Sequence, residues 1–282
     1  MHFLLLTILC STSIALILKY SDTKKSKPIV LLAGNYLMAS IIALVLLAFS
    51  DSSKFTVETL IFGSVLGLLF VLSFFAFAKA ISYAGTGLAT TSSRLSVIIP
   101  ILLSIIIYDE VPNKFHLVGF LFTVITFTFF YFSVKGNHKE GTGILKYLFL
   151  IAVFVGIGIN DFSMKIFRSW RTDQEQPFFV LFIFSSAFIY SSIYIIIKRI
   201  KVVPHTAFWG LTLGVPNVFS TIFLLGALTL LPAIFVYPTI NVGIIVFTTL
   251  LAFLIWKEKL NRWGLFALIS GLIAILLLSL GG

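Results

Sequence analysis

AKAISYAGTGLATTSSRLSVIIPILLSIIIYDE (residues 78–110) and GALTLLPAIFVYPTINVGIIVFTTLLAFLIWKEKLNRWG (residues 226–264) are the two stretches whose comparison decides the fold. Each ends one apolar run, makes a tight connection through small residues or proline, and enters a second apolar run dotted with polar residues. Each second run closes on an acid. The correspondence extends outward. Gly63 and Gly67 return as Gly210 and Gly214, 147 residues on, and Ala80 returns as Ala227 at the same spacing. Lys19 returns as Lys165 after 146 residues, Asp109-Glu110 as Lys257-Glu258 after 148, and Gly119 as Gly264 after 145. Small drifts of this kind are what loop insertions produce, so the chain reads as two copies of one unit, residues 1–136 and 137–282.

Composition says where such a unit is stable. Of 282 residues, 59% are hydrophobic, 31 are Phe and only 11% are charged, against about 25% charged in an average soluble domain. Mean hydropathy is +1.11. A soluble domain cannot hide that much apolar surface, and a disordered chain is poor in it. Apolar runs fall at 3–20, 28–49, 57–82, 87–107, 114–134, 142–164, 177–198, 205–229, 233–256 and 262–280. Each approaches the roughly 20 residues that a spanning helix needs. A β-barrel would show segments of about ten residues with alternating polarity, which are absent. The expectation is an all-α membrane protein of ten transmembrane helices. Five per unit is odd, so the second unit enters the membrane from the opposite side, giving two inverted five-helix repeats. Inverted repeats recur in secondary transporters, with the solute site near mid-depth where the halves meet.

The first run has no Lys or Arg before it, so it reads as a true span and not a signal peptide. Leu9 before Cys10 also spoils a lipoprotein-type cleavage site. The single cysteine excludes an intramolecular disulfide. The net charge of +10 suggests nucleic acid only in a soluble protein; here topology accounts for it. The odd-numbered connections carry thirteen of the Lys and Arg and the even-numbered ones five (Lys54, Lys114, Lys165, Arg168 and Arg171). Cytoplasmic loops collect such residues, so the count places the odd connections in the cytoplasm of a multi-pass cell (inner) membrane protein and both termini outside.

Charges within spans carry the functional signal, because each costs at least about 2.5 kcal/mol at a helix centre. Arg94, near the middle of span four, reads either as a cationic anchor for a carboxylate or phosphate or as the partner of a buried acid. Asp161 and Lys165 lie four apart on one face of span six. They read as a coupling site for protons or as a local ion pair. Lys79, near the end of span three, reads as a snorkelling lysine or as a gate or helix-end residue. Glu110 and Glu258 read as gate or helix-end residues. Asn217 and Asn241 read as cavity-lining amides, with Tyr83, Trp209 and Tyr237 as flanking aromatics. No phosphate-binding loop, clustered histidine or other metal-ligand pattern, or membrane-depth Ser–His–Asp set appears, so neither an ATP-driven pump, an enzyme, a metal site nor a cofactor is expected.

At the two quoted stretches the chain resembles the EamA-like, ten-helix branch of the drug/metabolite transporter superfamily. The resemblance runs over nearly the whole length, although the link from Glu258 to Gly264 is shorter than that from Glu110 to Gly119. It implies alternating access with a route through spans three, four, eight and nine, together with one and six. Spans five and ten are then peripheral, or pack on another copy as a homodimer through Gly119, Gly264 and Gly271. It also implies both termini inside, against the charge count. The expected function is secondary transport of a small polar or amphipathic metabolite, amino-acid or carboxylate-like, by export or exchange. The alternative is a membrane scaffold or sensor without flux.

Overall fold

The computed structural model describes residues 1–22, 27–50, 54–134, 144–256 and 261–281. Those residues form ten helices long and apolar enough to cross a membrane, and no strand occurs among them. Spans one to five are His2–Tyr20, Pro28–Ala48, Val57–Gly85, Gly87–Tyr108 and Lys114–Ser133; spans six to ten are Ile144–Trp170, Asp173–Ile197, Pro204–Leu230, Ala233–Ile255 and Arg262–Gly281. Helices are forced here, because lipid offers backbone N–H and C=O groups no partner. The chain is a multi-pass membrane protein of all-α class.

Two boundaries differ from expectation. Span six continues past Lys165 to Trp170, because its charges are paired: Lys165 with Glu110 and Arg168 with Asp173. Spans three and four are joined by no loop. One helix ends and the next begins at Gly85, whose backbone is non-helical (φ 82°, ψ 161°). That left-handed value is open to glycine at no steric cost. Span four turns again at Ser96–Val97 before its second segment, Ile98–Tyr108.

Contacts define two ends of the bundle. At one, the 2–3 connection meets the 6–7 connection where Thr56 and Thr59 donate to Glu175, and Asn113 reaches Gly281 near the C-terminus. We call this the termini end. At the other, Tyr20 packs on Trp209, Tyr83 on Phe149, and Ser133 bonds Asn261. We call this the basic end, after the Lys and Arg that the odd-numbered connections carry in the sequence.

Helix partners recur in matched pairs. Span two packs on span eight and span seven on span three; span one packs on span eight and span six on span three; two packs on seven, and five on ten. Small residues carry these contacts, since lipid supplies no hydrophobic drive between helices and close backbone approach must replace it. Gly63 and Gly67 lie against span seven at Phe179, Phe182, Ile183 and Ser186. Gly210 and Gly214 lie against span two at Leu31, Gly34, Asn35 and Met38. Gly119 packs on Leu278, and Gly271 on Val242, Val246 and Thr126, while Gly264 is buried. The glycines expected at a homodimer contact are therefore engaged within one chain. Span nine lies at the centre, buried without interruption over residues 233–246.

A Cβ at Gly67 stands 2.5 Å from the carbonyl oxygen of Ile183, and one at Gly214 stands 2.5 Å from that of Asn35. Backbone cannot yield as a side chain can. Gly67→Val and Gly214→Val are each expected to cost about 1–3 kcal/mol, the usual range for overpacking, read as a lowered Tm in detergent. Gly226→Ala meets only the Phe3 ring at 3.2 Å and is expected to lower Tm less.

Candidate functional site

A polar cavity of about 210 Å³ lies inside the bundle, lined from spans one, three, four, six, eight and nine. Arg94 enters it from span four, Asp161 from span six, Asn217 and Ser220 from span eight, and Tyr237 and Asn241 from span nine. A second cavity of about 320 Å³ shares Phe70, Ser93, Asn160, Asp161 and Asn217 with the first. It runs toward the basic end past Tyr36, Phe74, Phe77 and Leu18. The pair forms one polar chamber with an aromatic and aliphatic vestibule. Spans five and ten supply none of its lining and bond each other through Thr126 and Ser270 (3.0 Å).

Arg94 sits where the turn at Ser96–Val97 interrupts span four. Its Nη1 donates to Asn241 Oδ1 at 3.2 Å, and Asn241 Nδ2 donates to the Tyr237 carbonyl. A guanidinium has five N–H donors, so one bond to a neutral amide leaves others for the cavity. Asp161 faces the same space, close enough to interact electrostatically with Arg94. Among the described residues no ion pair joins the two. The Tyr237 hydroxyl donates to the backbone carbonyl of Asp161, which fixes span nine against span six at this level. Opposite charges that share a cavity without neutralising each other by contact are suited to a solute that carries charge.

The amides form a second tier. Asn217 Nδ2 donates to Asn35 Oδ1 at 3.0 Å, Asn160 Nδ2 to Ser73 Oγ at 3.0 Å, and Ser11 and Ser220 share a 2.7 Å bond. Asn35 and Ser11 were missed in the sequence. Asn35 was visible as a further amide inside a span, and Ser11 as the start of the polar Ser-Thr-Ser step in span one.

Other candidates lie elsewhere. Tyr83 stacks on Phe149 with ring centroids 5.4 Å apart, and Trp209 donates Nε1 to His205 Nε2 at 3.0 Å while packing on Tyr20. Both belong to the basic end and neither lines the two cavities. Lys79 is exposed, with its ammonium 5.9 Å from the Phe75 ring. The ion pair expected between Asp161 and Lys165 does not form. Lys165 Nζ instead lies 2.7 Å from Glu110 Oε1, with side-chain exposures of 14% and 9%, and over the Tyr108 ring. Glu110 also accepts from the N–H groups of Ala233 (3.0 Å) and Ile234 (2.9 Å), which caps span nine. Helix spacing placed Asp161 and Lys165 on one face, but the acid that reaches Lys165 came from another helix. Glu258 lies outside the described residues.

Residues 1–132 match the model of the EamA-like transporter family. Over that stretch the chain is similar to EamA-like transporters. The family consists of membrane transporters, and the drug/metabolite resemblance read at residues 78–110 falls inside the match. The chain is also 27% identical over 287 residues to an uncharacterized protein of Haemophilus influenzae, covering 98% of this chain and 96% of that one. It superposes on a crystal structure with a TM-score of 0.80 at 14% identity, covering 99% and 98% of the two chains. That likeness concerns the fold alone, and it extends the ten-helix architecture beyond residue 132.

The contacts of Lys165 and Asp161 predict opposite sensitivities. Removing one partner of a buried ion pair costs about 3–5 kcal/mol, so Lys165→Met should lower Tm strongly by stranding Glu110. Asp161→Asn breaks no ion pair and should shift Tm less. Equal shifts in a detergent melt would contradict the pairing.

Proposed function

We propose that this chain is a secondary active transporter that carries a small amphipathic metabolite with a carboxylate, amino-acid-like, across the cell (inner) membrane by alternating access. The observation that carries the reading is the polar chamber, where Arg94 keeps unused donors beside Asp161 at the level where spans four, six and nine meet. A cation so deep in lipid is costly, and a chain that needed only rigidity would neutralise it by contact. The vestibule of Tyr36, Phe70, Phe74 and Phe77 suits an apolar group on the same solute. Asp161 is the candidate acceptor for a coupling proton.

The proposed architecture is two inverted five-helix units, 1–136 and 137–282. Its support is the matched set of helix partners and the glycine pairs that pack on spans seven and two. Arg94 and Asn241, 147 residues apart, carry the same spacing as Gly63 and Gly210 and bond each other. We further propose that the basic end faces the cytoplasm, on the Lys and Arg count.

The test is a thermal-shift screen of purified protein against amino acids, other carboxylates, nucleosides and organic cations, beside Arg94→Ala. Binding to the folded state stabilises by RT ln(1 + [L]/Kd), about 2.7 kcal/mol at a hundredfold excess over Kd. Carboxylates are expected to raise Tm, and a still-folded Arg94→Ala is expected to lose the rise. A rise with cations or neutral solutes alone removes Arg94 as the anchor.

A further inference from the structure

A third cavity lies outside the chamber and shares no residue with it. It measures about 250 Å³ and lies at the basic end, lined from spans two, seven and eight and by Val202 of the connection between seven and eight. Helix packing accounts for it. Spans seven and eight each pack along span two but scarcely touch each other, which leaves a wedge between them. Span eight is held close to span two at Gly34, where a Cβ would stand 2.9 Å from the Ala207 carbonyl oxygen. The wedge is walled by apolar side chains such as Phe188, Ile195 and Leu211, and Ser192 supplies its one polar side chain. Ile196 and Val202 are exposed, so the wedge opens outward. An apolar gap left empty forfeits packing contacts on one side, and in a membrane the filler at hand is an acyl chain.

Four cations border it. Lys27 precedes Val30 by three residues, Lys198 and Arg199 follow Ile196 by two and three, and Lys201 adjoins Val202. All four are exposed. Among the described residues no carboxylate pairs with any of them. Topology explains why cations gather at this end; it does not explain why these four border an apolar wedge. The termini end is built differently. Under the proposed repeat Val202 answers to Phe55, 147 residues before it. Phe55 packs its own ring on Phe178 and Phe182, with centroids 5.0 and 5.1 Å away. Arg168 and Arg171 there are paired with Asp173 and Glu58. The chain thus fills and neutralises one end itself and leaves the other open and positive.

We propose that the wedge is a binding site for an anionic phospholipid. One acyl chain lies between spans seven and eight, and the headgroup phosphate is held by Lys198, Arg199 and Lys201, with Lys27 at the start of span two. Basic pockets between spans suit such headgroups, and span seven ends at Ile197, at headgroup level. The site stands apart from the transport reading, because the chamber takes no part in it.

The test is native mass spectrometry of the full chain in neutral detergent with equal amounts of phosphatidylglycerol and phosphatidylcholine. One phosphatidylglycerol should be held at least about tenfold more tightly than phosphatidylcholine. Val202→Phe, which supplies the wedge with a ring like that of Phe55, should lower retention of both lipids. Lys198→Gln, Arg199→Asn and Lys201→Gln together should abolish the preference; Asn suits position 199, where φ is 48°. Lys54→Gln, at the termini end, should change neither. Glycerol 3-phosphate in excess should not displace the lipid, because it leaves the wedge empty. The substituted residues are all exposed, so the variants should fold. Equal retention of the two lipids, retention unmoved by Val202→Phe, a preference that survives the triple variant, or displacement by glycerol 3-phosphate overturns the proposal. Lipid-free dimers as the sole species also overturn it and assign the wedge to a second copy of the chain.

Discussion

A guanidinium at mid-depth in a membrane protein can be kept only where the chain walls it off from lipid and gives it polar company. Arg94 imposes that condition, and much of the bundle is arranged to meet it. Asn241 takes one of its N–H groups. Asp161 supplies a facing charge, and Asn217, Ser220 and Tyr237 complete a polar shell drawn from spans six, eight and nine. None of these residues is near Arg94 in sequence, so the site exists only once the two parts of the chain have packed together.

Packing of that kind has no hydrophobic drive in lipid, where tails are as apolar as leucine. It depends on backbone approach, and the glycines permit it at corresponding places: Gly63 and Gly67 on span seven, Gly210 and Gly214 on span two. Spans five and ten pair beside the chamber without lining it. The described ion pairs lie at the termini end, where Glu110, Glu58 and Arg168 are engaged and Glu175 collects Thr56 and Thr59. The result is a chamber firmly sealed at one end and approached through an aromatic vestibule at the other.

The helix count, the spans and the small-residue pattern were legible in the sequence because lipid leaves so few solutions. A long apolar run must be a helix, and a repeated glycine spacing must serve a repeated contact. Arg94, Asn217, Asn241 and Tyr237 were legible for the same reason, as polar groups that lipid would not tolerate unshielded. Lys165 was misread because spacing along one helix says which residues share a face and not which acid a neighbouring helix brings closer; Glu110 arrives from span four. Tyr83 and Trp209 look like the other aromatics in sequence, and only their position at the basic end separates them from Tyr237.

The central claim is that the chamber is a station on a path across the membrane and not a sealed polar core. Tracer counterflow decides it most directly. Purified protein is placed in liposomes preloaded with an unlabelled solute that stabilises it, and entry of the labelled solute is followed. The account predicts a transient accumulation above that in empty liposomes. A solute that stabilises the protein yet gives no accumulation would contradict the account and leave a ligand-binding membrane scaffold in its place.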